Sequence, residues 1–240
     1  MAGMRKRNLI VRLVPHLVAA AAIVLCIQLA LWQSDRAGFK QTLLEEWSDA
    51  PVVELGSTTD IPDQFSHVRA FGHFDSERHI LLDNQIRATH PGVHVFTLFS
   101  PQGSDRIWLV NRGWQPYDRR NGRHADFSTP EQPLTINGRI SDPPRVGVQI
   151  GQAQALSPDN WPNLMTYFDL ELIRDALGDQ VASRIILLDP DHPAHLTGDA
   201  WQPVIMGPER HRAYAFQWWA MASAIFLIWL VLTIRNMRAS

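Results

Sequence analysis

Two stretches of this 240-residue chain contain no Asp, Glu, Lys or Arg: Leu13 to Trp32 and Ala213 to Ile234. At about 1.5 Å of rise per residue, a helix made from either run reaches across the roughly 30 Å hydrocarbon core of a bilayer. A chain with such a run near each end is expected to form a transmembrane α-helical hairpin enclosing whatever lies between. Every other feature is therefore read relative to a membrane.

The charges then give the hairpin a direction. Arg5, Lys6, Arg7 and Arg12 precede the first run without any acid, and Arg235 and Arg238 follow the second without any. Cations flank the cytoplasmic ends of membrane spans, so both termini are expected in the cytoplasm. The expected organisation is a basic cytoplasmic N-terminus (1–12), a first transmembrane helix (13–32), a periplasmic β-rich domain (33–212), a second transmembrane helix (213–234) and a cytoplasmic tail (235–240). Residues 33–212 hold 16 basic against 24 acidic side chains, a net −8, which argues against binding nucleic acid or anionic lipid. No A-x-A-like cleavage site follows the apolar run near Leu29, Leu25 precedes Cys26 where a lipoprotein needs a small residue, and the basic lead is short and Ser-poor for a transit peptide. The expectation is retention as a two-span protein of the bacterial inner membrane. Cys26, the sole cysteine, lies inside the first span, so the outer domain can hold no disulfide, C-x-x-C pair or thiolate metal site.

Trp32, Arg36, Phe39, Lys40 and Leu43 recur at helical spacing, which predicts that the first helix continues beyond the membrane and ends before Pro51. From Val52 to Ile150 short apolar runs alternate with turn residues. Strands are predicted at His67–Phe74, His79–Leu82, Gly92–Ser100, Arg106–Asn111, Leu134–Ile140 and Arg184–Leu188. Turns are predicted at Asp75-Ser76, Asp83-Asn84, Pro101–Ser104 and within Asp118–Pro133. One helix interrupts them, with Asp169 as its cap, Leu170, Ile173 and Leu177 on its apolar face and Gly178 at its end. The domain class is β-rich α+β, a barrel or a sandwich.

The densest chemical signal lies at the mouth of the second helix, where His211, Tyr214, Ala215, Trp218 and Ala222 fall on one stripe at 100° per residue. Imidazole is a good iron ligand, an aromatic-lined groove suits a porphyrin, and Arg36, Lys40, Arg210 and Arg212 suit its propionates. Interface anchoring by Trp, Tyr and flanking cations accounts for the same residues. On the first helix Ala22, Cys26 and Ala30 form a small-residue ridge that permits close packing, and Trp32 and Gln33 emerge at the same boundary as His211. His16 lies 16 residues before Trp32, about 24 Å along a helix, and reads as a neutral histidine near the cytoplasmic interface.

Elsewhere the polar residues of Leu81–Gln85 and Leu109–Trp114 read chiefly as Asx-turns and buried hydrogen bonds, with a partner-binding surface as the other reading. Asp189-Pro-Asp191-His192-Pro-Ala-His195 reads as a stiff loop before a metal site. The chain lacks G-x-S-x-G, H-E-x-x-H, P-loop and G-x-G-x-x-G motifs, so no enzyme is expected.

In order along the chain, Leu31-Trp32-Gln33 with Arg36 and Lys40, Gly72-x-Phe74, Leu81-Leu82-Asp83-Asn84, Val110-Asn111-Arg112-Gly113-Trp114-x-Pro116 and His211-x-x-Tyr214-Ala-x-x-Trp218 resemble the surfeit locus protein 1 family of cytochrome c oxidase assembly factors. Ala30, Gln85 and Trp219 depart from the family pattern, and residues 145–160 match it poorly. The resemblance implies that haem a is held and passed toward the catalytic subunit of cytochrome c oxidase, with haem a synthase a further candidate partner. On that analogy His211 is the haem-iron ligand and Trp32 a second haem-site residue, to which the stripe and the nearby cations add Tyr214, Trp218, Arg36 and Arg212 as expected haem-site residues. Two rival classes remain open, a tethered module that stabilises an oxidase assembly intermediate without haem, and a periplasmic enzyme or ligand sensor on two anchors.

Overall fold

The structure, a computed structural model, describes residues 2–56, 60–118, 123–124, 127–145, 155–157, 159–198, 200–204 and 206–239. Its elements in chain order are α1 (Ala2–Ser48), β1 (Val52–Glu54), β2 (His67–Arg87), β3 (His90–Pro101), β4 (Ile107–Asp118), β5 (Arg123–His124), β6 (Leu134–Ser141), β7 (Asn163–Met165), α2 (Leu170–Leu177), β8 (Val181–Leu188) and α3 (Pro208–Ala239). They form two compact units, one of residues 1–48 and 203–240 and one of residues 49–202.

The helical unit is a hairpin of α1 and α3, each long and apolar enough to cross a membrane. α1 runs for 47 residues without a break, about 70 Å at helical rise, so it extends well past a bilayer core and stops before Pro51 as its periodicity requires. Its seam is built of small side chains: Cys26, Ala30 and Ala37 on α1 and Ala215 and Ala222 on α3 are all buried. Small residues bring helix backbones close where no hydrophobic effect drives association. α3 begins with Pro208 at its first turn, where a missing N–H costs nothing, and Glu209 there faces the positive end of the dipole. At the far end of the hairpin Trp229 Nε1 donates to His16 Nδ1 at 2.8 Å, which ties the helices together. The side chains of residues 1–12 and 239–240 lie outside the described set.

The second unit is a mixed sheet whose strands follow β1-β2-β3-β4-β8-β6, with β6 also pairing β2. Strands β2, β3, β4, β8 and β6 thus close into a barrel, which decides between the two architectures expected. Closure depends on the length and bending of β2: His67–Gly72 pairs β6, and the strand from Gly72 onward pairs β3. Two turns expected from the sequence, Asp75-Ser76 and Asp83-Asn84, are instead irregularities inside this single strand, at Phe74/His79 and Leu82/Gln85. The residue chemistry of a turn and of a bulge is the same. Asp75 Oδ1 accepts from the backbone N–H of Glu77 and Arg78 at 3.0 and 2.9 Å, and Asn84 adopts φ 63°, but the sheet partner on either side keeps the strand going. Likewise β4 does not stop at Asn111 but continues through Gly113 and Pro116 to Asp118. The short strands β1, β5 and β7 had no recognisable pattern in sequence; β5 lies within the polar stretch 118–133, of which residues 119–122 and 125–126 lie outside the described set.

Alternation along the strands gives two apolar layers. Val68, Phe74, Phe99, Trp108, Val110, Ile136, Ile140 and Ile186 form one, drawn from all five barrel strands, which places it in the interior. Ile80, Phe96, Leu98, Leu109 and Ile185 form the other, covered by Phe168 and by Ile173 of α2. α2 is capped as expected: Asp169 Oδ1 accepts from Glu171 and Leu172 N–H, and Gly178, at φ 100°, donates its N–H to Arg174 O.

Candidate functional site

The outer end of the hairpin, where α1 and α3 lead toward the β-rich unit in sequence, carries the residues singled out for cofactor chemistry. On α1 the buried small residues Cys26, Ala30 and Ala37 share a face with position 33, so the same spacing that builds the seam places Gln33 in it. On α3 the seam face passes from Ala222 through Trp218 and Ala215 to His211. The two polar residues meet, with His211 Nδ1 2.8 Å from Gln33 Oε1. A carbonyl oxygen can only accept, so Nδ1 carries the hydrogen, and in the neutral ring the lone pair is on Nε2. Among the described residues Nε2 has no hydrogen-bond partner.

The other predicted site residues lie on the same stretches of α1 and α3. Trp32, one position and about 100° around the helix from Gln33, is 52% exposed, and Tyr214 is 43% exposed. Trp218 is half-buried in the seam, while Arg36, Arg210 and Arg212 are exposed. Arg36 and Lys40 both approach the Phe39 ring at 5.9 Å, and Arg212 reaches across to Gln41 Oε1 at 3.5 Å. The arrangement offers one oriented nitrogen donor, aromatic surfaces and a collar of cations. Gln33 is the residue that sequence reasoning named only as a neighbour. The small-residue spacing of 26, 30 and 37 was the signal that puts it in the seam.

A second constellation lies in the β-rich unit, where the two polar motifs of the sequence converge. His94 on β3 pairs with Leu82 of β2 on one side and Trp114 of β4 on the other. Trp114 Nε1 donates to Gln85 O at 2.8 Å, and Asn111 Oδ1 accepts from Gly113 N–H at 3.0 Å. Gly113 sits at φ 107° with Thr197 O so near that a Cβ would meet it at 2.8 Å, which is why only glycine serves there. Arg112 is almost wholly buried, donating to Ala194 O, Thr129 Oγ1 and Ser128 O at 2.7–2.8 Å between the rings of Phe74 and Phe127. Burial lowers its pKa to about 10, so it stays charged at neutral pH. Beside these motifs lies a cleft of about 440 Å³ lined by Asp83, Asn84, Gln85, His94, Asn111 and Trp201 among others. Burial, then the neighbouring His195, holds the His94 imidazole down to a pKa of about 4. The hydrogen bonds assign these motifs mainly to architecture, since they fasten residues 194–197 onto β4.

Asp189, Asp191, His192 and His195 form no cluster able to hold a metal ion. His192 bonds Thr135 O and the Ala194 N–H, and no group of three or more His, Cys, Asp or Glu able to hold a metal ion occurs among the described residues.

A family model described as the SURF1 family matches residues 20–223, most of the chain and both faces of the hairpin seam. The chain belongs to the SURF1 family. The SURF1 family is associated with cytochrome c oxidase assembly and is a family of assembly factors, not a known class of enzymes. The match runs from before Leu31 to beyond Trp218, so every motif that carried the resemblance lies inside it. With its two apolar helices, this SURF1 family member is a membrane protein. No curated protein matches the chain.

Proposed function

We propose that this SURF1 family protein holds haem a at the outer end of its helical hairpin, with His211 as axial ligand, and assists delivery of the haem to the catalytic subunit of cytochrome c oxidase. The observation that carries this reading is the His211–Gln33 hydrogen bond, which engages Nδ1 and leaves Nε2 without a hydrogen-bond partner among the described residues. When bound, haem supplies an iron that accepts an imidazole nitrogen and two propionates that need cationic partners. The residues present fit both demands. Trp32 and Tyr214 offer exposed aromatic faces, and Arg36 and Arg212 are exposed at the same level of the hairpin. Trp218 fills the seam beneath His211.

The two basic ends and the acid-rich middle support a bacterial inner-membrane location with both termini in the cytoplasm and residues 33–212 in the periplasm. That orientation puts His211 at the periplasmic boundary, where haem a synthase and the oxidase catalytic subunit are the partners in the transfer.

Oxidase assembled in cells carrying His211→Ala tests the function. The isolated catalytic subunit should contain less haem a than when the wild-type chain is present, while His16→Ala should leave the content unchanged. Normal haem a content with His211→Ala would favour a membrane-tethered module that stabilises an assembly intermediate without touching haem.

A further inference from the structure

The geometry points to Gln33 as the positioning residue that selects the nitrogen His211 presents to iron. This rests on the assignment of His211 as ligand and adds a residue on the opposite helix. An unconstrained neutral imidazole distributes its single hydrogen between two nitrogens, and only the one without it has a lone pair for a metal. In this hairpin Nδ1 faces the Gln33 carbonyl oxygen at 2.8 Å. Gln33 is itself held by the seam, since Ala30 and Ala37 on either side of it are 0% and 3% exposed. The ring is therefore fixed in rotation by a hydrogen bond across the hairpin, and in tautomer while Gln33 presents Oε1 rather than its amide N–H to Nδ1. A group that accepts from the far side of a ligating imidazole also raises the basicity of the ligating nitrogen.

One consequence follows for the hairpin as a whole. The bond joins residues 178 positions apart, so separation of α1 from α3 at this level releases the ring. Haem held by His211 is then held less tightly when the outer end of the hairpin opens.

The test uses the full chain in detergent, labelled with ¹⁵N-histidine and free of haem, with His211 assigned by loss of its signals in His211→Gln. Two-bond ¹H–¹⁵N correlations should show His211 protonated at Nδ1 in the wild-type protein. Gln33→Met keeps the length of the side chain without the acceptor, and should move the hydrogen to Nε2 or a mixture. Gln33→Glu restores an acceptor that cannot donate, and should restore the Nδ1–H form. Titration with haem a should show affinity lowered by about 10- to 100-fold in Gln33→Met, recovery in Gln33→Glu, and a more negative reduction potential in Gln33→Glu than in wild type. An Nε2–H form in the wild-type protein, or an unchanged tautomer in Gln33→Met, overturns the role of Gln33 even where His211→Ala loses the haem. Retention of haem by His211→Ala overturns the ligand assignment instead, whatever the tautomer.

Discussion

Arg112 and His94 show how far polar chemistry in the β-rich unit serves the fold. Arg112 has no ion-pair partner among the described residues; three neutral oxygens and two aromatic faces hold its charge. Arg112→Ala would leave the Ala194 and Ser128 carbonyls unsatisfied beside a cavity, and should cost on the order of 3 kcal/mol or more. Arg112→Lys should recover only part of this, because one ammonium cannot reach acceptors spread around a planar fork. Urea unfolding followed by tryptophan fluorescence measures both. His94 predicts a pH dependence. Its folded pKa of about 4 lies below the ordinary imidazole value of 6.5, so the unfolded chain takes up the proton first. Stability from this group is complete above pH 6.5 and declines as pH falls toward 4, by about 3 kcal/mol over that window. His94→Gln should flatten the decline, and an unchanged slope would contradict it.

At the scale of elements, hydrophobic period and capping were legible in sequence, and long-range pairing was not. The extension of α1 to Ser48, the Asp169 cap and the presence of β3, β4, β6 and β8 all follow from local pattern. The joining of two predicted strands into β2 does not, because Asp75 and Asn84 carry the same local signal whether a chain reverses or bulges. The decision belongs to β3, which supplies partners before and after each irregularity. Strand β7 fails for a similar reason: three residues, Asn163–Met165, have no period of their own and exist as a strand only against Ile80–Leu82. The helix seam carries its own prediction. Ala30 is fully buried between α1 and α3, so Ala30→Leu must push the helices apart. Engineered cysteines at positions 33 and 211 of a Cys26→Ala protein report the separation, and should cross-link more slowly when Ala30→Leu is added. An equal rate would show that the small-residue seam does not set the spacing.

For the whole molecule, the family and the two-span plan could be read from charge-free runs and ordered motifs, while the hydrogen bond that orients His211 required the two ends of the chain to be brought together. Sequence placed Trp32 and His211 at one boundary; it is Gln33, the next residue, that reaches the imidazole. The central claim is that His211 holds haem a at this boundary, and the absorption spectrum of the detergent-purified full chain from cells making haem a tests it most directly. Haem a held by His211 should give a Soret band in the wild-type protein, its loss or displacement in His211→Ala, no change in His16→Ala, and a smaller effect in Trp32→Phe, which keeps an aromatic plane. An undiminished, unshifted Soret band in His211→Ala would contradict it.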